Sequence, residues 1–312
     1  MRRMRGGRSR PVIRILATIA LAASFGVAAK AGSVVELLIP AYFAPGTGGA
    51  GGVGDGWAQM TDAAKSVSLT AIMNPASGPG SIGQVNAYAA AVKGVQDNGG
   101  KVIGYIDTSY GAIPFDTIKA AIQTYLASDV HVNGFFLDQV NSPISLAYYS
   151  QIYGYIKSLN PAYEVVGNPG TPFLNGVAPS DFLSVADTMV AFEGPHTGPP
   201  GAIGFNNYPY GLDWMTQPGV ARSSIANLVY ETPDADAMRA DLLKAYGLNA
   251  GSVYFTDDTP LNPWDRLPTY WNDEVAAVAA LAVPEPTSVS LLALGLLCGG
   301  LALRRGPGLV TR

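Results

Sequence analysis

"GFFLDQV", residues 134–140, is an apolar run that ends on an acid, an amide and one more apolar residue. A buried strand avoids a carboxylate, because taking a charge out of water is expensive unless the charge is paired. An acid fits where a strand leaves the core and opens on a polar site. The same punctuation recurs along the chain. Apolar, β-branched and aromatic runs cover 34–43, 69–74, 101–108, 132–138, 163–168, 188–193, 224–231 and 252–257. Helical patterns lie between them at 84–97, 116–128, 145–159, 235–246 and 269–281, with shorter ones near 57–66, 179–186 and 217–223. Eight strands, each followed by a helix, predict an α/β chain folded as one (β/α)8 barrel of the TIM type. A doubly wound open sheet is the rival, but no glycine-rich phosphate loop follows the first strand. The glycine-rich stretch 46–56 comes too early for a domain boundary and reads as a long loop.

In such a barrel the chemistry gathers at the C-terminal ends of the strands. Those ends read Asn74, Asp107-Thr108, Asp138-Gln139, Asn168, Glu193, Glu231 and Asp257-Asp258. A single Asp at a strand end is ordinarily a turn former or helix cap. Acids at five of the eight ends, brought onto one face, read as a site. Two carboxylates flanking a bond are what glycoside hydrolysis requires: one attacks or activates water, and the other protonates the leaving oxygen. Asp138 on strand four and Glu193 on strand six are the expected catalytic pair, and partial desolvation of Glu193 would suit it to act as the acid. Double displacement calls for carboxyl groups roughly 5–5.5 Å apart, and inversion for about 6.5–9.5 Å.

Sugars also need flat apolar faces to stack on. Tyr42, Tyr110, Tyr208, Tyr210, Trp214, Trp264 and Trp271 lie in or near loops after strands, and about three of them are expected in the cleft. The expected substrate-binding set is Asn74, Asp107, Tyr110, Gln139, Asn168, Tyr208, Trp214, Asp257, Asp258 and Trp264. Asp107, Asp257 and Asp258 would suit a protonated amine.

Other chemistries find little support. The two histidines, His131 and His196, do not form a ligand-spaced pair, so no metal is expected. His131 precedes strand four and reads as structural, while His196, three residues after Glu193, is within reach of the site. No G-x-S-x-G elbow or dinucleotide fingerprint is present, and no cofactor is expected.

The two ends of the chain differ from the middle. Arg2, Arg3, Arg5, Arg8, Arg10 and Arg14 precede an apolar stretch, and Ala29-Lys30-Ala31 fits a small-x-small cleavage site, so 1–31 reads as a signal peptide. The competing reading is an uncut anchor. Residues 32–283 then form the barrel domain, with nine basic residues against 22 acidic ones and a formal charge of −13. Nucleic acid, which needs clustered Lys and Arg, is not an expected partner. The single cysteine, Cys298, lies beyond this domain, so no disulfide is expected in it. Val283-Pro284-Glu285-Pro286-Thr287 leads into an apolar run, 289–303, closed by Arg304-Arg305. That run is shorter than the ~20 residues of a comfortable membrane span. Residues 284–312 resemble the PEP-CTERM sorting signal of Gram-negative bacteria, which implies an exosortase-type processing partner and transient inner-membrane association before processing. A plain C-terminal anchor is the other reading.

Six motifs carry a further resemblance: "AIMNPASGPG" (71–80), "VIGYIDTSYG" (102–111), "GFFLDQV", "VVGNPGT" (165–171), "AFEG" (191–194) and "NPWDRLPTYW" (262–271). Together, in this order, they resemble the spherulation-specific family 4 proteins. The resemblance implies a (β/α)8 barrel and a glycoside hydrolase of the kind that cuts α-1,4-linked galactosamine and N-acetylgalactosamine polymers. It implies a nucleophile at Asp138 and an acid/base at Glu193. Gln139 departs from the family's usual Asp-Glu, and an amide does not exchange a proton at useful pH. Strand alternation would turn residue 139 away from the mouth or into the loop, leaving it a supporting role. The alternative is a non-catalytic glycan-binding or matrix protein on the same barrel.

Overall fold

A computed structural model describes residues 34–141, 144–171, 179–208, 215 and 218–281. The expected signal peptide, the sorting tail, Tyr210 and Trp214 lie outside the described residues. Eight parallel strands close into a barrel in chain order: β1 (Glu36–Ala41), β2 (Leu69–Met73), β3 (Lys101–Asp107), β4 (Gly134–Asp138), β5 (Glu164–Gly167), β6 (Thr188–Pro195), β7 (Ile225–Tyr230) and β8 (Ser252–Phe255). Pairing of Glu36 with Ser252 and Leu37 with Val253 joins the last strand to the first.

Parallel strands covered on both faces read as near-continuous apolar runs, and β2, "LTAIM", is buried along its whole length. Paired residues on neighbouring strands share a face. Phe136 points inward and stacks on Tyr105 at 6.1 Å, while Phe135 points outward to the Tyr125 ring, also 6.1 Å away. Either phenylalanine truncated to alanine would cost about 3–5 kcal/mol. Gly134 is required by contact: a Cβ there would lie 2.0 Å from the Glu164 carbonyl oxygen, inside the β4–β5 ladder.

The outer layer comprises α1 (Gly56–Ala63), α2 (Ile82–Asn86), α3 (Ala89–Asp97), α4 (Phe115–Leu126), α5 (Leu146–Leu159), α6 (Pro179–Leu183), α7 (Ala235–Gly247) and α8 (Trp271–Leu281). The single helix expected at 84–97 is two. It begins earlier, because Ser81 and Gln84 form a capping box, and it breaks at Tyr88, whose ring meets Trp57 edge-on at 5.6 Å. The helix expected at 217–223 is replaced, among its described residues, by a turn at 218–219 and a short 3-10 turn, Arg222–Ser224. Gly219 sits there at φ 98°, which a helix does not allow. The loop 46–56 carries a 3-10 turn at Ala50–Gly52 and a bridge between Gly48 and Asp55.

Candidate active site

Register carries one inner layer around the mouth of the barrel. Asp107 pairs with Asp138, and Val166 pairs with Thr188, so plain alternation from Thr188 would face Val190 and Phe192 inward and Glu193 outward. A bulge prevents this. Val190 pairs with Ala226, but Phe192 pairs with Asn227, leaving Ala191 as the extra residue. One inserted residue reverses every side chain after it. Phe192 therefore turns out to Phe205 and Tyr208, with ring centroids 4.9 and 5.0 Å away. Glu193 turns in, toward Asp138.

The two acids meet at one amide. Asn168, directly after β5, has its Nδ2 2.8 Å from Asp138 Oδ1 and 2.6 Å from Glu193 Oε2, so those two oxygens are at most 5.4 Å apart. The Tyr105 hydroxyl donates to the other Asp138 oxygen at 2.6 Å. Asp138 is raised above the ordinary carboxyl range by desolvation, opposed by donors from Tyr105, the Gln139 backbone and Asn168, with the Asp107 charge adding to the rise. Glu193 is pushed up to about 7, first by burial and then by the Asp138 charge; Asn168 and the Trp264 indole favour its ionised form without cancelling the rise. Burial and both carboxylates likewise raise the Tyr42 phenol, whose ring meets Tyr105 edge-on at 5.5 Å. Tyr230 stands beside Glu193 and meets Trp264 edge-on at 6.0 Å. The result is two acids, both raised by burial, inside a wall of aromatic rings. Such a pair can divide proton donation and nucleophilic attack between its members.

The backbone around the pair is strained. Among the described residues, six of the seven non-glycine residues with positive φ lie in loops just after strands: Ser77, Ser109, Tyr110, Gln139, Glu231 and Leu261. Each such conformation costs on the order of 1–3 kcal/mol and persists only where its surroundings enforce it. Gln139 illustrates the enforcement. Its carbonyl accepts from Tyr110 N–H at 2.8 Å and from the buried Thr108 hydroxyl at 2.9 Å. Of the two positions expected for residue 139, the structure has the second: β4 ends at Asp138, and Gln139 begins the loop, left-handed at φ 53°. Among the described residues its side-chain amide forms no hydrogen bond.

The remaining expected residues divide. Tyr42 and Trp264 are at the pair, and Tyr110 is on the rim, 59% exposed. Asp107 is near Asp138 but accepts from Ser109 N–H at 2.7 Å, and Asn74 Oδ1 accepts from Gly78 N–H at 2.9 Å, each shaping its own loop. Asp257 and Asp258 are not open to an amine. Arg266 folds back to them at 2.8 and 3.4 Å, and the Thr269 hydroxyl reaches Asp257 at 2.5 Å. Tyr208 is buried in the outer layer, and Trp271 is buried at the start of α8; neither faces the mouth. Trp214 is not described. His196 Nδ1 lies 2.7 Å from Asp241 on α7, away from the pair. Among the described residues no group of three or more His, Cys, Asp or Glu is placed to hold a metal. Sequence reading missed Tyr105 and Tyr230. Tyr105 had a signal: it stands two residues before Asp107 and so shares its face.

Comparison with known proteins accords with this barrel. The model of spherulation-specific family 4 matches residues 36–278, and that of the PEP-CTERM protein-sorting motif matches 282–305. Spherulin-4 of Physarum polycephalum is 28% identical over 264 residues, which span 82% of this chain and 73% of that protein. The crystal structure of Aspergillus clavatus Sph3 in complex with GalNAc superposes with a TM-score of 0.62 at 22% identity, over 80% of this chain and 100% of that one. With all eight strands inside a single family match, the chain belongs to spherulation-specific family 4 and carries a PEP-CTERM sorting motif behind its barrel.

Proposed function

We propose that the chain is an exported glycoside hydrolase that cuts within an amino-sugar exopolysaccharide of the galactosamine or N-acetylgalactosamine type. The observation that carries this reading is the shared amide: one nitrogen at 2.8 and 2.6 Å from two carboxylates. The bridged oxygens, at most 5.4 Å apart, support double displacement, which calls for about 5–5.5 Å, over inversion. Asp138 attacks the anomeric carbon as a carboxylate, while Glu193 gives its proton to the departing glycosidic oxygen. Glu193, now ionised, then takes a proton from the water that displaces Asp138, restoring both groups. The sugar class follows the GalNAc bound to Sph3. In the complex, Tyr42, Tyr110 and Trp264 supply stacking faces, and Asn74, Asp107 and Gln139 meet hydroxyl or nitrogen substituents.

Export rests on the sorting motif: residues 1–31 leave as a signal peptide, 32–283 are the barrel, and an exosortase-type enzyme processes 284–312 after transient inner-membrane association. Mass spectrometry of secreted protein should find Arg312 absent. The function is tested by incubating the purified protein with galactosamine and N-acetylgalactosamine polymers. Reducing ends should appear, with the anomeric configuration of the cut bond retained when product is followed at once by NMR. Glycan binding without cleavage by the wild type on every polymer would favour the second reading, a matrix or binding protein, to which Gln139 gives its support.

A further inference from the structure

Building on the hydrolase reading, we propose that Asn168 is the positioning residue of the site, an amide locked in one orientation. Its two N–H bonds fix the separation of Asp138 and Glu193 and decide which Glu193 oxygen carries the proton.

An amide side chain can fit a site either way round, and its neighbours decide which. Here the Gly170 N–H donates to Asn168 Oδ1 at 2.9 Å, so the nitrogen must face the acids. Gly170 reaches that position because it is left-handed, φ 69°, and a Cβ there would lie 3.8 Å from Glu193 Oε2. The Asn168 backbone is held as firmly. Its N–H donates to the Leu137 carbonyl at 2.8 Å, and its carbonyl accepts from Val140 N–H at 2.8 Å. The amide is thus fastened to the strand that carries Asp138, on both sides of that residue.

The groups facing Glu193 are Asp138 from β4, Tyr42 from the end of β1, Tyr105 from β3, Tyr230 from β7 and the Trp264 indole from the loop after β8; Asp107 faces Asp138. None is a cation. Two carboxyl groups this close repel when both are ionised, and the neutral donor between them is what makes one separation favourable. In a protonated carboxyl the carbonyl oxygen is the better acceptor. Donation to Oε2 therefore directs the Glu193 proton to Oε1.

Two variants test this in the full protein. Asn168→Asp keeps size and backbone but replaces the donor with an acceptor, and Asn168→Leu removes hydrogen bonding while still filling the space. In both, the ¹³C-carboxyl NMR titration of Glu193 should move to higher pH, and the alkaline limb of kcat/KM should move with it. The kcat should fall on the order of 100-fold, with KM nearly unchanged. An unmoved titration, or a rise in KM alone, would overturn the proposal and leave Asn168 an ordinary contact to substrate. Should the Leu variant not fold, the Asp variant decides. Should the wild type cut no polymer, the hydrolase reading fails by itself, while the titration still decides whether Asn168 governs the pair.

Discussion

The charges at the N-terminal end of the barrel are matched by partners, and the two acids at its C-terminal mouth are not. At the N-terminal end, Lys101 meets Glu164 at 3.0 Å and Lys157 meets Asp187 at 2.6 Å. Arg222 donates to the carbonyls of Tyr246 and Ala250 at 2.9 and 3.0 Å, and Thr70 donates to Glu36. Glu36, Lys101, Lys157, Glu164, Asp187 and Arg222 line a cavity of about 550 Å³. At the mouth, Asp138 and Glu193 share a neutral amide, and Arg266, in the loop after β8, is taken by Asp257 and Asp258. The non-glycine residues with positive φ divide in the same way: of the seven described, only Asn249 lies on the N-terminal side of a strand. A cavity alone does not mark the proposed reactive end. That end is instead where conformational strain and carboxyl groups without a cationic partner gather.

The largest expected effect breaks the comparison at its centre. Asp138→Asn and Glu193→Gln should each lower kcat by about 10²- to 10⁴-fold or more on polymer, with folding and glycan binding retained. Rates of reducing-end release, set beside binding isotherms, measure this. A variant that kept wild-type turnover would remove that acid from the mechanism.

The next effect is on stability and needs no substrate. Glu193 is raised from 4.5 to about 7 in the fold, so the folded state holds its proton to higher pH than the unfolded chain does. The stability this gives is complete below the ordinary carboxyl range and is lost as pH climbs through about 7. Glu193→Gln should therefore be more stable than the wild type at pH 8, by roughly 2–3 kcal/mol. Below the ordinary carboxyl range the two should unfold alike. Denaturant melts at both pH values give the answer, and equal gains at both would show that the carboxyl is not the cause.

At the N-terminal end the same kind of change should act in reverse. Asp187 accepts from Lys157 Nζ at 2.6 Å, Val165 N–H at 2.8 Å and the Tyr153 hydroxyl at 2.9 Å. Asp187→Ala should destabilise by about 2 kcal/mol and leave kcat unchanged. A fall in kcat without loss of stability would erase the distinction between the two ends.

Much of this was legible in the sequence, and the reason is physical. A parallel barrel buries both faces of each strand, so all eight strands stood out as apolar runs, and for seven of them a change to Asp, Asn or Glu marked where the strand left the core. What could not be read was geometry that depends on a single inserted residue or a distant side chain. Ala191 looks like any strand alanine, yet its bulge is what turns Glu193 inward. Asp257 and Asp258 have the same composition as a cation site until Arg266, eight and nine residues on, folds back to fill it. Gln139 reads as the next residue of a strand, and only its left-handed turn removes it from the alternation.

Gln139 also carries the smallest expected effect. Held at φ 53°, it occupies a conformation that glycine adopts without strain. Gln139→Gly should be neutral or stabilising by up to about 1 kcal/mol, unless substrate contact was what the side chain supplied, in which case KM rises. Gln139→Glu asks the sharper question. A third carboxylate beside Asp138 would repel ionisation of both acids and push Glu193 further up, moving the alkaline limb of the rate profile upward. The change in kcat should stay within about tenfold, or 1.4 kcal/mol, because the nucleophile and the acid are already present. Activity that appears only in Gln139→Glu, from an inert parent, would mean that the mouth is strained and acidic but one acid short. The natural protein would then hold glycan without cutting it.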